Sequence, residues 1–423
     1  MLGAGLAGLA AATGLRSGYR LLEASSRVGG LCTTTADEGF RFDVTGHLFH
    51  SRDPKIRGWI ESMLGPRLLR IERRSRIFSH GVYTRFPFQA NTFGLPPAVA
   101  FDCLKGFFEA WDRRTTHATP PRDFDDFIRR YFGDGIARHF MVPYNTKLWG
   151  VAPKEMSSAW TDRFVPKPSR DDVVAGAVGL NDRELGYNAT FLYPRGGIGE
   201  LPDAIHRRLA VPAELAAEAR GVDVRRRIVW TNGGAVPYRR LISTVPLQRL
   251  GFLLRGAPAW VVRAASRLRC TSLAYLDVAL ERRPGNDYHW SYVPEERYPF
   301  YRVGAYSNFS AALAPRGKGS LYVELASRRP FRRSHLPAVV RGLRELGLIR
   351  REGDIRFVRP RRVPFAYVVY DHAWERARAR LHAFLAENGI LSCGRYGAWE
   401  YSAMEDALLA GRDAARWAKE GEE

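Results

Sequence analysis

The sequence predicts an α/β protein with a dinucleotide-binding βαβ unit, an inserted helical subdomain and a second domain built on a mixed or antiparallel sheet. Three observations predict it. The chain opens on "GAGLAGLAAATGL", with Gly3, Gly5 and Gly8 in GxGxxG spacing. A block from about Pro97 to Phe164 carries apolar residues at helical spacing. Four later stretches, Thr271 to Leu280, Tyr288 to Val293, Phe300 to Phe309 and Ser320 to Ala326, have strand character. A chain of 423 residues exceeds one simple core. Domains hold ~100–200 residues, so two or three are expected.

The glycines have separate tasks. The first permits a tight turn, the second lets backbone approach a pyrophosphate, and the third lets helix and strand pack closely. The phosphate then sits on a helix N-terminus, where free N–H groups and the helix dipole favour an anion. "YRLLEAS" reads as a second strand ending in Glu23, about 20 residues on, placed to accept hydrogen bonds from a ribose. "SSRVGGLC" adds Gly29 and Gly30, and "FRFDVTGHLFH" adds Gly46 and His47. A glycine doublet just after the ribose acid marks an FAD-binding, Rossmann-like fold rather than a plain NAD one. Only Met1 and Leu2 precede Gly3. A strand is needed there, so the natural chain is expected to begin a few residues upstream.

Further along, "PPAVAFDCLKGFFEAWDRR" and "DFDDFIRRYFGDGIARHFMVPYNTKLWG" read as helices, the second capped by Asp123 or Asp125. "YNATFLYPRGGIGELPDAIHRRL" gives a strand, a glycine turn and a helix, and "RRLISTVPLQRL" a buried strand with a proline exit. The last unit, "GILSCGRYGAWEYSAMEDALLAGRDAARWA", reads strand, loop and long helix starting near Met404. The expected division is an FAD-binding domain from 1–72, 195–265 and 375–423, a helical subdomain at 93–170, and a sheet-containing substrate domain from 73–92, 171–194 and 266–374. In "RYPFYRVGAYSNFS", alternation puts Tyr301, Val303 and Ala305 on one face and Arg302, Gly304 and Tyr306 on the other. An arginine among aromatics at a pocket edge requires an anion.

Composition narrows the function classes. Hydrophobic content of 45% and aromatic content of 12% suit a globular enzyme and exclude a disordered chain. There is no apolar run of ~18 residues to span a membrane, and no signal-peptide pattern at the N-terminus. Cys32, Cys103, Cys270 and Cys393 are scattered and form no metal motif, so a reduced, cytoplasmic setting is expected. The formal net charge is +21. The basic residues are mostly arginines spread along the chain in short runs such as "RRSR" and "RFVRPRR". That pattern reads as compositional bias, and no nucleic-acid motif accompanies it.

The N-terminal glycines, "RVGG", "PRGGIGELPDAI" and "ISTVPL" resemble the FAD enzymes that include amine oxidases, protoporphyrinogen oxidases and carotenoid desaturases. A narrower likeness runs through most of the chain. "RRSRIFSHGVYTRFPFQAN", "PYNTKLWGVAP", "GYNATFLYP", "WSYVPEERYPFYRVGAYSNFS" and "GRYGAWEYSAMEDALLAG" occur in the order in which the UDP-galactopyranose mutase family, especially its eukaryotic-type branch, has similar motifs. The resemblance implies a cytoplasmic isomerase of nucleotide sugars, serving cell-wall polysaccharide synthesis, that uses reduced FAD without net redox change. In that family flavin N5 attacks C1 of the sugar and expels UDP. The ring opens and recloses through another hydroxyl, and UDP returns. NADH or NADPH is the implied reductant, and a homo-oligomer is an open expectation.

The same resemblance implies the site residues. Arg302 matches the diphosphate clamp, where a guanidinium suits phosphate oxygens, and Arg163 in "AWTDRF" is a candidate second clamp. Phe86, Phe88 and Gln89 match the uridine pocket. Asn145 and Trp149, four residues apart, face one side of a helix, one for hydrogen bonding and one for stacking. Asn188, Trp290, Tyr292, Tyr367 and Tyr401 match positions around diphosphate and sugar, although any one alone reads equally well as core. His47 matches the turn beside flavin N5, acting through its backbone carbonyl. Arg395, Met404 and Glu405 match the C-terminal flavin contact, where a helix dipole favours negative charge. Two departures stand out. Phe309 occupies a position where a tyrosine touching the diphosphate is expected. Glu405 replaces an asparagine, which would put an acid near the flavin. Both bear on which nucleotide sugar is used. The competing reading is an FAD oxidase or desaturase, which needs an apolar tunnel.

Overall fold

The structure is a computed structural model, and it describes residues 1–114, 119–180, 189–326 and 331–420. The nucleotide-binding unit is organised by a parallel sheet of very short strands. Leu2 lies between Leu22 and Ser243, parallel to both. The strand Leu241–Ser243 extends the sheet to Ile390–Ser392, with Leu241 opposite Ile390. The expected strands in "YRLLEAS", "RRLISTVPLQRL" and "GILSC" therefore meet from three distant parts of the chain. The two residues ahead of Gly3 already pair on both sides: Leu2 N donates to Ile242 O, and Leu22 N donates to Met1 O.

The helix Leu6–Leu15 follows the glycine loop, and the C-terminal helix Met404–Lys419 packs along it. Small residues make the approach possible. A Cβ placed on Gly411 would stand 2.2 Å from the carbonyl oxygen of Ala7. The outermost parts of the sequence are thus held backbone to backbone.

The second sheet has seven strands. Their order is Ile355–Val369, Arg269–Leu280, Gly319–Ala326, Arg302–Ala305, Trp290–Tyr292, Ser75–Ser79 and Val82–Arg85. Neighbours are antiparallel except Trp290–Tyr292 and Ser75–Ser79, which are parallel. The sheet is mixed, as the strand-like stretches suggest. Two details differ from the sequence reading. Ile355–Val369, which contains "RFVRPRR", is a full strand despite Pro360 and Pro364. It lies at the sheet edge, where a missing N–H costs no ladder bond. The strand at Arg302 ends at Ala305, and Tyr306–Phe309 is a helical turn. The Tyr306 hydroxyl donates to Asp43 O at 2.6 Å, and Ser310 Oγ donates to Arg195 O at 2.7 Å. These bonds draw the chain out of the sheet toward the nucleotide unit.

The helical part contains Pro97–Arg113, Phe124–Ile136, a π-helical turn at Ala137–Met141 and Val142–Trp149. Asp123 caps the second helix by accepting from Asp126 N at 2.8 Å. The first two helices cross through glycines. A Cβ on Gly135 would lie 2.1 Å from Asp102 O, and one on Gly106 would lie 2.8 Å from Gly135 N. Among the described residues, no helix is long and apolar enough to cross a membrane. Gly135→Ala should force the two helices apart and lower stability by about 1–3 kcal/mol. Urea unfolding would show it as a lower midpoint, and an unchanged midpoint would contradict the close crossing.

Candidate active site

The glycine loop forms a cradle closed to side chains at Gly3 and Gly8. Gly3 has φ +93°, and a Cβ there would stand 2.2 Å from Thr244 Oγ1. On Gly8 a Cβ would stand 1.9 Å from Gly3 O. Gly5 faces Gly30 with about a side chain's clearance, 4.0 Å from its Cβ position to the Gly30 Cα, and Gly29 N donates to Ala4 O. No side chain caps the helix Leu6–Leu15, so its first N–H groups remain for an anion. Glu23 is buried beside them and accepts from Ala4 N at 2.7 Å and Ser25 N at 2.9 Å. A donor-rich loop ending beside a buried carboxylate fits the pyrophosphate and ribose of a dinucleotide.

Arg302 opens the strand Arg302–Ala305 of the seven-stranded sheet. Its anion within the protein is Glu324, directly opposite on the neighbouring strand. Arg302 Nε donates to Glu324 Oε2 at 2.8 Å, and Nη2 donates to Oε1 at 2.7 Å. The Glu324 side chain is fully buried, and that of Arg302 is 20% exposed. Nη2 also reaches the Tyr367 hydroxyl at 3.4 Å. Burial opposes the guanidinium charge, but the facing carboxylate outweighs it and raises the Arg302 pKa. One edge of the guanidinium is therefore held, while Nη1 has no hydrogen-bond partner among the described residues. The sequence reading missed Glu324. Its signal was present: a carboxylate in the apolar run "LYVELA" requires a cation.

Aromatic rings extend from this pair. Tyr367 and Tyr401 stack with centroids 6.1 Å apart, and the Arg395 guanidinium lies 4.6 Å from the Tyr401 ring. Arg395 donates to Ser402 O and Ala366 O. His47 donates from Nδ1 to Val44 O at 2.6 Å. Burial lowers its pKa to about 4, the Val44 carbonyl opposing and Arg395 and Arg302 adding to the fall. Its imidazole is neutral near pH 7, consistent with a role through the backbone. Gly46 lies against Tyr322, whose hydroxyl would be 2.5 Å from a Cβ there. Tyr322 and Glu324 are two apart on one strand and share a face, which places the Gly46–His47 turn beside the ion pair.

The expected nucleobase residues have mixed placements. Phe86 tilts against Tyr292 at 5.3 Å. Phe88 is fully buried and stacks on Phe140 at 4.8 Å, so it supports the wall from behind. Gln89 is buried and donates to Pro166 O at 2.9 Å. Asn145 and Trp149 share a helix face as their spacing implies, but they bond to each other. Trp149 Nε1 donates to Asn145 Oδ1 at 3.1 Å, and Asn145 Nδ2 donates to Met141 O. Trp149 then contacts Tyr367 and Tyr401 edge-on. Trp290 packs in the core near Phe191. Asn188 lies outside the described residues. Arg163 is in the short helix Thr161–Phe164, and its side chain lies outside them too.

The two departures resolve differently from their sequence reading. Phe309 is 3% exposed and sits in a nest of Phe191, Tyr193, His289, Tyr306 and Tyr322 rings. It is a core residue, turned inward by the helical turn. The Glu405 carboxylate accepts from Ser51 Oγ at 2.5 Å and from Arg52 N and Asp53 N at 2.9 Å. It ties the C-terminal helix to the segment before helix Pro54–Leu64 rather than adding free acid to a flavin face. Met404, at the helix start, is buried.

This fold and cradle are those of a known flavoprotein family. The sequence profile of that family, the flavin containing amine oxidoreductases, matches residues 6–417, and the chain belongs to it. Among solved structures, the chain is similar to a reduced UDP-galactopyranose mutase, with a TM-score of 0.94 and 27% identity over 99% of this chain and 93% of that one. A putrescine oxidase bound to putrescine shares the fold, with a TM-score of 0.68, 18% identity, and 98% and 97% of the two chains covered. A fatty acid isomerase from P. acnes does so too, at 0.67, 13%, and 98% and 97%. Glu324→Ala should lower stability by about 3 kcal/mol, because it strands the Arg302 charge. Denaturant unfolding would measure the loss, and a change under ~0.5 kcal/mol would show that the pair does not hold the sheet.

Proposed function

We propose that the chain is a flavin-dependent mutase interconverting pyranose and furanose forms of UDP-galactose or a related nucleotide sugar. The observation that carries this reading is the geometry of Arg302. Glu324 fixes the guanidinium edge-on, its Nη1 is available, and Tyr367 and Tyr401 stand beside it. An apolar tunnel for an amine or polyene has no use for such a group. The likeness to the reduced UDP-galactopyranose mutase supports the same choice over the oxidases.

Bound reduced FAD would supply a nucleophilic nitrogen with no net oxidation. Gly3, Gly5, Gly8, Gly29 and Gly30 would hold its pyrophosphate region, Glu23 its ribose, and Gly46, His47, Arg395 and the backbone at Met404 its ring end. Arg302 would bind the diphosphate and stabilise it as it leaves the sugar. A preset donor costs no reorganisation at that moment, which is why such groups accelerate the step. Arg163 is assigned as a second clamp, and Asn188 as a further substrate contact. Tyr367 and Tyr401 would enclose the sugar with hydroxyl-bearing rings. Phe86 and Tyr292 would line the uridine side, with Phe88, Gln89, Asn145 and Trp149 holding that wall in place. Neutral His47 supplies no proton near pH 7.

The test uses purified protein reduced with dithionite and supplied separately with UDP-galactopyranose and UDP-galactofuranose. Chromatography should show each converting to the other. Absence of conversion, together with oxygen-dependent turnover of an amine or porphyrinogen, would overturn the proposal. Arg302→Ala should retain the flavin absorbance and lose about 1,000-fold in turnover. A near-normal rate would remove Arg302 from the reaction.

A further inference from the structure

The segment Asp43–Val44–Thr45–Gly46–His47 contains a conformational anomaly. Thr45 has φ +61° and is buried. For a β-branched residue the left-handed region is a true outlier, because Cβ crowds the carbonyl. Such a conformation persists only where the surroundings impose it.

The surroundings are visible on both sides. Asp43 is 2% exposed, and its carboxyl takes three donors. Thr34 Oγ1 donates to Oδ1 at 2.6 Å, Tyr193 OH donates to Oδ2 at 2.5 Å, and Ile198 N donates at 3.1 Å. Thr34 Oγ1 accepts from Gly199 N at 2.9 Å, so its own hydrogen is free for Asp43. The Asp43 carbonyl accepts from the Tyr306 hydroxyl. Beyond Thr45, His47 closes back on Val44, and the Tyr322 hydroxyl packs against Gly46. The turn is pinned at both ends, with the strained residue between the pins.

We propose that Asp43 is a positioning residue: its buried carboxyl holds Thr45 in the left-handed conformation and thereby sets the Gly46–His47 turn against the Arg302–Glu324 site. The catalytic consequence rests on the mutase reading, whereas the mechanical lock does not. Without the carboxyl, Thr45 relaxes and the turn moves relative to the reacting centre. The uridine wall is built from other segments and is unaffected.

The lock has a pH signature. Burial raises the Asp43 pKa to about 7, against the three donors and with nearby Asp277 adding to the rise. Asp277 is itself raised to about 6 by burial, although Arg361 faces it. Cys32, Tyr193, Tyr275 and Tyr306 also lie within reach of the Asp43 charge. A carboxyl whose folded-state pKa lies above its unfolded value favours the folded state fully at low pH. That contribution is lost as pH rises from about 4 to about 7. Asp43→Asn keeps a side chain able to accept from Thr34 and Ile198 and to donate to Tyr193, while removing this titration.

The experiment compares wild type, Asp43→Ala, Asp43→Asn, Thr45→Gly and the Asp43→Ala/Thr45→Gly double variant as full-length protein. Melting temperature is followed from pH 4 to 8. UDP affinity, kcat and KM are measured alongside. Thr45→Gly should raise the melting temperature by about 2 °C in wild type and fail to raise it once Asp43 is alanine. Asp43→Asn should flatten the fall between pH 4 and 7. Asp43→Ala should lower kcat by about 10- to 100-fold with UDP affinity unchanged, and Asp43→Asn should restore most of it. Additive effects of the two substitutions on melting temperature would overturn the lock. A non-additive result with normal kcat in Asp43→Ala would overturn the positioning role. If Asp43→Ala does not fold, Tyr193→Phe takes its place in the same cycle. If wild type shows no mutase activity, the mutase reading fails, and the melting-temperature cycle still decides the lock.

Discussion

Two opposite charges on adjacent strands organise the centre of this protein. Arg302 and Glu324 face each other in the antiparallel register, with the Glu324 side chain fully buried. Neither charge is tolerable there alone. Together they restrict strand register, because a one-residue slip would send one of them to the opposite face. They also orient a guanidinium that would otherwise swing through many rotamers. The tyrosines around it are set by that choice. Tyr367 meets Arg302 from the edge strand Ile355–Val369 of the same sheet, and Tyr401 stacks on Tyr367.

The nucleotide unit faces the same problem differently. Its parallel sheet is made of three-residue strands and single-residue bridges from the start, middle and end of the chain. Such short pairings hold because the helices on them approach very closely, through Gly8 against Gly3 and Gly411 against Ala7. Glu405 adds a polar tie between the C-terminal helix and the segment at Ser51–Asp53. The two units then meet through Tyr306 and Asp43, a bond from a sheet-domain turn to the segment that carries Gly46 and His47.

Residues whose task is steric or local were legible in the sequence. Gly3, Gly5 and Gly8 could be read because only their spacing allows a tight turn before a helix. Asp123 could be read as a cap, since its partner is three residues away. Residues whose task depends on a distant partner were read incompletely. Arg302 demanded an anion, but nothing local pointed to Glu324. Asn145 and Trp149 had the right spacing, yet their mutual bond depends on rotamers that the crowding of Tyr367 and Tyr401 selects. Phe309 looked like a lost hydroxyl because the family resemblance sets a diphosphate-touching tyrosine at that position. The helical turn at Tyr306 rotates it into the core instead.

By itself, the sequence determined the dinucleotide cradle, the order of α and β segments and the polar, tyrosine-rich character of the pocket. The first two follow from short-range sterics and periodicity, and the third is what the family resemblance implies. The tertiary structure decided which side chains face the cleft and which support it. It also decided that a carboxylate shares Arg302 with any ligand, and that Thr45 is held in a conformation it would not choose. These outcomes depend on contacts between segments 22 to 263 residues apart, where burial makes an unmatched charge or a strained turn acceptable only if a particular partner arrives from elsewhere in the chain.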